Sequence, residues 1–186
     1  MLYFTYGRFN PPTIGHKKMI QHMINEARKN NAEPMIIVSH GVTPLNKNPL
    51  QLNKKVEILR KMFPGITITH TGGGNPTSIV SLVGSINGNK KMFIGENRKE
   101  SFTKAFQKNP LSGIKSIERN AEKSVSATKT RASAVNNNFN TFKSYMNANV
   151  LNNKNLREIM EIIQKATVPK KRKVTTNTAP KKRVRR

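Results

Sequence analysis

A segment near the start of the chain, residues 7–16 (Gly-Arg-Phe-Asn-Pro-Pro-Thr-Ile-Gly-His), constrains the fold more than any other feature. An apolar run, residues 2–6, leads into it, and apolar residues at helical spacing, residues 19–27, follow it. A strand, a tight turn and a helix start place backbone N–H groups and the positive end of a helix against an anion. The segment therefore predicts a phosphate-binding turn between a first strand and a first helix.

Apolar strand-like runs and helical patterns alternate along the chain. We predict strands over residues 2–6, 34–39, 66–71, 91–94 and 114–117, and helices over residues 15–29, 52–63, 77–83 and 101–106. This order implies an α/β, Rossmann-like fold: a parallel sheet of about five strands, right-handed crossovers and helices on both faces. Ligands of such sheets bind beyond the carboxyl ends of the strands.

The pattern becomes helical after residue 127. Asn155 and Glu158 are typical of a capping pair that opens a helix with an apolar face. Residues 166–186 consist mainly of Pro, Thr, Lys and Arg and offer almost nothing to bury. We therefore predict an α/β domain over residues 1–165, ending in C-terminal helices, and a basic disordered tail over residues 166–186.

Charge is the outlier of the composition. The chain has 34 Lys and Arg but only nine acidic residues, all Glu, so its net charge is +25. Nine of the basic side chains lie in residues 169–186, which leaves +16 on residues 1–168. A body with this charge indicates polyanionic partners. Nucleic acid is the first candidate and an anionic membrane surface the second, while a solvated basic surface is the alternative.

The composition also excludes several classes of site. The absence of Cys excludes disulfides and Cys-based zinc sites and suits a reducing compartment. The absence of Asp excludes paired-Asp metal sites and Asp-based acid–base schemes. No apolar run approaches the roughly 20 residues that cross a bilayer, and the N-terminus lacks the pattern of a secretory signal. We expect an intracellular protein that is not secreted and has no membrane span.

Two motifs carry a resemblance to a known family. Residues 7–16 fit G-R-F-x-P-x-[HT]-x-G-H, and residues 125–131, Val-Ser-Ala-Thr-Lys-Thr-Arg, are similar to I-S-S-T-x-x-R. Both resemble the nucleotidyltransferase superfamily, which includes cytidylyltransferases and the adenylyltransferases of nicotinamide mononucleotide and phosphopantetheine. The first His of the usual HxGH is Thr13 here, as in the phosphopantetheine branch, and Ala127 replaces the second Ser.

Two further segments narrow the resemblance, which covers about residues 1–135. Ser39-His40 with residues 47–50, and later residues 93–98, resemble a branch found in phages and large DNA viruses. That branch usually reads G-S-D-R in the later segment, whereas this chain has Glu96 and Asn97.

The resemblance implies transfer of a nucleotidyl group from ATP or CTP to a small acceptor with a phosphate or hydroxyl group, with release of pyrophosphate. Of the catalytic residues it implies, His16 would donate to charge on the phosphates, Thr13 would bond the α-phosphate region, and Arg131 would clamp the outer phosphates. Mg²⁺ would be bound mainly through the triphosphate, with no protein metal ligand. The implied nucleotide-binding residues are Gly7, Arg8, Phe9, Asn10, Gly15, Gly95, Asn97, Ser126 and Thr128.

The tail carries two basic clusters. Residues 169–174, Pro-Lys-Lys-Arg-Lys-Val, resemble the monopartite nuclear localisation signal of the polyomavirus large T antigen, and residues 180–186 form the second cluster. Such segments dock on an import receptor or on phosphate backbones, or merely solubilise a protein. We expect a location in the host nucleus or the virion. The basic residues concerned are Lys170, Lys171, Arg172, Lys173, Lys181, Lys182, Arg183, Arg185 and Arg186.

A second function stays open at this stage. A viral protein built on the same fold could be a virion component that contacts DNA or capsid proteins instead of an enzyme. The sequence fixes neither the base of the triphosphate nor the acceptor. It also leaves open whether the chain forms a homo-oligomer, as related domains often do.

Overall fold

The computed structural model describes residues 1–41, 43–72, 76–117 and 125–167. Five strands form one sheet: β1 (Leu2–Gly7), β2 (Glu33–Val38), β3 (Thr67–His70), β4 (Lys90–Gly95) and β5 (Gly113–Ile117). The helices are α1 (Ile14–Lys29), α2 (Leu52–Met62), α3 (Pro76–Gly84), α4 (Lys99–Ala105), α5 (Ala127–Val135), α6 (Phe139–Tyr145) and α7 (Asn153–Thr167). A short 3₁₀ turn, Glu96–Arg98, joins β4 to α4.

All neighbouring strands are parallel, and their order is β3-β2-β1-β4-β5. The chain moves outward from β1 to β3 and then returns to β4 on the other side of β1. The predicted parallel α/β fold is confirmed. The reversal makes the carboxyl ends of β1 and β4 the switch point, where open sheets of this kind form a crevice.

Successive side chains of β1 belong alternately to two apolar clusters, one on each face of the sheet. Tyr3 belongs to one apolar cluster with Ile20 of α1, while Leu2 and Phe4 belong to a second with Ile79 of α3. Successive strand residues point to opposite faces, so a strand covered on both faces must be apolar throughout. The first cluster also holds side chains of α2, α6 and α7, and the second holds side chains of α4.

The C-terminal helix corrects one prediction. Asn155 is not the capping residue: it lies in the first turn of α7, and its backbone N–H donates to Oδ1 of Asn152 at 2.9 Å. The helix is described as far as Thr167. The rest of the predicted tail, residues 168–186 with its nine basic side chains, lies outside the described residues.

None of the helices described is long and apolar enough to cross a bilayer.

Candidate active site

A cleft of about 610 Å³ lies at the carboxyl ends of β1 and β4. Gly7 ends β1 and Gly95 ends β4, and both line the cleft. The start of α5 lines it as well, so residues more than 110 positions apart in the chain meet there. Of the predicted site residues, the lining includes Gly7, Arg8, Phe9, Asn10, His16, Gly95, Asn97, Ser126, Thr128 and Arg131.

Thr13 is not among the residues that line the cleft, and its contact with the α-phosphate region stays a prediction. It is fully buried and caps α1: its Oγ1 accepts from the backbone N–H of His16 at 3.4 Å. In return, Nδ1 of His16 accepts from the backbone N–H of Thr13 at 3.1 Å and lies 2.9 Å from the Thr13 hydroxyl. This is a reciprocal capping box with His in the third helical position. Thr13 thus positions His16.

The same contact assigns the tautomer of His16. Because Nδ1 accepts a hydrogen bond, the hydrogen of the neutral ring resides on Nε2. The ring edge packs against Phe9, with centroids 5.2 Å apart, which restrains its tilt. His16 therefore lies at a helix N-terminus, a position that suits a contact with a phosphate oxygen.

Gly15 is also absent from the cleft wall. A Cβ atom at this position would clash with the backbone carbonyl oxygen of Val125. Gly15 therefore lets the segment before α5 lie directly against the first turn of α1. The close approach that the structure shows for Gly15 is to the second motif.

Arg131 connects the two motifs. Its Nη1 donates to the backbone carbonyl of Asn10 at 2.7 Å, and its Nη2 donates to the hydroxyl of Thr128 at 3.3 Å. A guanidinium has five N–H groups, so these two bonds fix the plane of the fork and use only part of its donors. Burial lowers the pKa of Arg131, and the charge of Arg8 lowers it further. An anion in the cleft would offset both effects.

The side chains of Asn10 and Phe9 are buried and pack against other parts of the protein beside the cleft. The Asn10 side chain is buried; its Nδ2 donates to the carbonyl of Leu50 at 3.0 Å and its Oδ1 accepts from the N–H of Leu50 at 2.9 Å. Phe9 is buried with a φ of +44°, a strained conformation for a residue with a side chain. A Cβ atom on residue 7 would lie 3.0 Å from the Phe9 ring, so a residue with a side chain would crowd the ring at this position.

The helix α5 begins beside the cleft with its own cap. Ser126 Oγ accepts from the backbone N–H of Lys129 at 3.2 Å. Ser126 and Thr128 line the cleft together with Ala127. The N-termini of α1 and α5 therefore both reach this site and add positive potential to it.

The charged residues that line the cleft are all cationic. They are Arg8, Lys47, Arg98 and Arg131, and no carboxylate is among the lining side chains of the described chain. Lys47 and Arg98 lie in the two segments that resemble the viral branch, but the sequence analysis did not assign them to the site, although both follow strands at the carboxyl edge of the sheet. Their position after β2 and β4 could have indicated that they line the cleft, because ligands of such sheets bind beyond the carboxyl ends of the strands.

Sequence reasoning also missed Lys55. This side chain is fully buried in α2, and its Nζ donates to the backbone carbonyl of Ser39, which follows β2, at 2.6 Å. Burial, and secondarily the charge of Arg8, lowers the pKa of Lys55 to about 8. Neither its sequence neighbours nor its helical spacing distinguishes it from Lys54, which pairs with Glu158 at 2.8 Å near the surface.

No protein-family model matches the sequence, and no curated protein matches it. Among solved structures, the chain is similar to a bifunctional NMN adenylyltransferase/ADP ribose pyrophosphatase from Francisella tularensis, with a TM-score of 0.64 and 16% sequence identity. The match covers 89% of this chain and 52% of the other, so this chain spans about half the length of that protein. The likeness shows a shared α/β fold.

Proposed function

We propose that the chain is a nucleotidyltransferase that binds a nucleoside triphosphate in the cleft between β1, β4 and α5. The observation that carries this proposal is the bond from Arg131 to the carbonyl of Asn10, which joins the two phosphate-binding motifs in one wall. The cationic lining and the two helix N-termini supply the electrostatics that a triphosphate needs. The similarity to an NMN adenylyltransferase supports the same class of fold.

The chemistry asks little covalent work of the protein. An oxygen of the acceptor forms a bond to the α-phosphorus, the bond from that phosphorus to the bridging oxygen breaks, and pyrophosphate leaves with the electron pair. His16 Nε2–H would donate to a phosphate oxygen as negative charge moves outward. Arg131 would hold the outer phosphates with the N–H groups not used by Asn10 and Thr128. Positioning and charge stabilisation supply the rate enhancement.

Mg²⁺ is the metal that this reaction implies, and the donor set suits one bound by the nucleotide. The lining offers hydroxyls of Ser126 and Thr128 but no carboxylate, and the described residues hold no group of three or more metal-binding His or Glu side chains. Mg²⁺ keeps several waters and takes phosphate oxygens readily. It would supply further neutralisation of the triphosphate.

The proposal specifies the nucleotide base and the acceptor only as chemical classes. Gly95 and Asn97, at the end of β4, would face the base and ribose of ATP or CTP. The acceptor would be a small molecule with a phosphate or hydroxyl group. Arg8 and Lys47, which line the cleft on the β1 and β2 side, favour an acceptor that carries its own negative charge.

Pyrophosphate release tests the proposal. The full chain is incubated with Mg²⁺, each of the four nucleoside triphosphates, and nicotinamide mononucleotide, phosphocholine, glycerol phosphate or phosphopantetheine. We expect turnover with one donor–acceptor pair and loss of it in His16→Ala. Lys104→Ala, which changes an exposed lysine of α4, is the matched control and keeps the rate. Absence of turnover with every pair counts against nucleotidyl transfer to acceptors of these classes.

A second candidate function is association with a polyanion in a viral particle or a host nucleus. The charge of +16 on residues 1–168 favours it, because a basic body of this size attracts nucleic acid. Contacts to capsid proteins or to an import receptor through the basic tail belong to this candidate. Presence of the chain in purified particles at a fixed ratio to capsid protein would support it, and absence from them would remove the structural role.

A further inference from the structure

A second concavity of the described chain lies outside the candidate active site. It is a groove of about 870 Å³ between α1 and the segment from α6 to residue 149. Its charged lining residues are Lys17, Lys18 and Lys143, and His22 lies beside them. We call it the basic groove. We propose that it binds a single phosphodiester strand, independently of nucleotidyl transfer in the cleft.

The lysines of the basic groove are not paired with carboxylates in the described chain. Elsewhere lysines find glutamates: Lys61 lies 2.9 Å from Glu57, and Lys104 lies 2.8 Å from Glu100. Lys17 instead donates to Oδ1 of Asn147 at 3.5 Å. Three ammonium groups along one groove repel each other unless anions lie between them.

Asn147 provides a second, independent indication. Its side chain is buried in the groove wall, and its Nδ2 has no hydrogen-bond partner in the described structure. A buried donor without an acceptor costs about 1–3 kcal/mol. Its Oδ1 already holds Lys17, so the group that remains is a donor. A ligand rich in acceptor oxygens, such as a phosphodiester, would satisfy it after a small opening of the wall.

The remaining lining favours a nucleic-acid strand over an isolated phosphate. Its neutral polar side chains are mostly amides, which both donate and accept and can contact sugar, phosphate or base edges. They are Gln21, Asn25, Asn140, Asn147 and Asn149. The groove lies between α1 and the segment from α6 to residue 149, and we assign it to one phosphodiester backbone. The groove has no Phe, Tyr or Trp in its lining, so we expect little preference for base sequence.

The test measures binding of a fluorescein-labelled 12-nucleotide single-stranded DNA to the full chain by anisotropy, from 50 to 200 mM NaCl. The groove variant carries Lys17→Gln, Lys18→Gln and Lys143→Gln. Because each phosphate contact on a single strand contributes a slope of about −0.7, its slope of log K against log salt should be shallower by about 2. Over this salt range the wild type should lose about 20-fold more affinity than the groove variant.

The control variant removes the same charge at exposed positions that do not line the basic groove: Lys99→Gln, Lys108→Gln and Lys154→Gln. We expect its slope to stay within about 0.5 of the wild type. Equal losses in the two variants would overturn the proposal, since binding would then follow net charge alone. Tighter binding of a 12-base-pair duplex, with the same dependence on the groove lysines, would overturn the assignment to a single strand.

The two proposals fail separately. None of the substituted lysines lines the cleft, so the groove variant should release pyrophosphate at the wild-type rate. A chain without transferase activity that still shows the difference in salt slope would keep the basic groove as a binding site. An active enzyme whose groove variant binds the strand like the wild type would refute the basic groove alone.

Discussion

Arg131 and Asn10 lie 121 positions apart, and the Arg131 guanidinium donates to the Asn10 backbone carbonyl at 2.7 Å. Asn10 is itself held by two hydrogen bonds to Leu50, so the arginine is anchored to a rigid loop. In the function that we propose, this relationship would make the crevice at the switch point a defined anion site. The fork is oriented before any ligand arrives, which lowers the entropic cost of binding.

Replacing Arg131 with Lys should separate charge from geometry. Arg131→Lys keeps a cation but cannot reach the Asn10 carbonyl and the Thr128 hydroxyl together. We expect the Kd for the bound nucleoside triphosphate to rise about 10- to 100-fold, equal to about 1.4–2.8 kcal/mol. Calorimetric titration measures it. An unchanged Kd would show that the positive charge alone suffices and that the fork has no role.

Gly15→Ala should break the contact between the two motifs. The added methyl group meets the Val125 carbonyl, so the segment before α5 must shift, at a cost of about 1–3 kcal/mol in the free energy of unfolding. Urea denaturation measures it. Gly84→Ala is the control, because its Cβ would meet nothing within 4 Å, and we expect a change below about 1 kcal/mol. Equal effects of the two substitutions would remove the proposed packing role of Gly15.

Thr13→Val should affect both stability and His16. Valine keeps the branched shape but loses the Oγ1 that accepts from the His16 N–H, so α1 loses its cap and about 0.5–2 kcal/mol. The His16 ring also loses a neighbour at 2.9 Å, and we expect kcat to fall while KM changes less. Thr13→Ser retains the hydroxyl and should restore most of both. A Ser variant as impaired as the Val variant would contradict the positioning role.

Local sequence patterns are sufficient to predict the strands and the position of the cleft. Continuous apolar runs such as residues 2–6 predicted the buried parallel strands, because covering a sheet on both faces requires them. The motif residues at strand ends met in one cleft because parallel strands share a carboxyl edge. These predictions needed only the spacing of apolar residues and the order of strands and helices along the chain.

Other features depend on partners that no local pattern reveals. Thr13 and Gly15 belong to the first motif, and the sequence does not reveal that they lie against His16 and Val125. Lys55 is buried because α2 packs against the end of β2. Lys54, one position earlier on the helix, does not take part in this tertiary contact and pairs with Glu158. The capping role of Asn152 was missed since Asn155 offered an equally good local pattern.

Lys55 predicts a pH dependence of stability. Its pKa is about 8 in the folded chain against an ordinary 10.5, so between these values the unfolded chain holds a proton that the folded chain has released. The free energy of unfolding should therefore rise with pH across this window, by up to about 3 kcal/mol, and Lys55 should add no pH dependence below it. Urea denaturation at pH 7.5 and 10 measures the rise, and Lys55→Met should lack it. A rise of equal size in both proteins would assign it to other groups.

Calorimetric titration of the full chain with ATP, CTP, GTP and UTP, each with Mg²⁺, tests the central claim most directly. The account predicts that one triphosphate, ATP or CTP, binds with one site per chain, and that Arg131→Ala weakens it at least 10-fold while Lys104→Ala leaves it unchanged. Absence of heat with all four, or binding that survives Arg131→Ala unaltered, would contradict a triphosphate site between the two motifs.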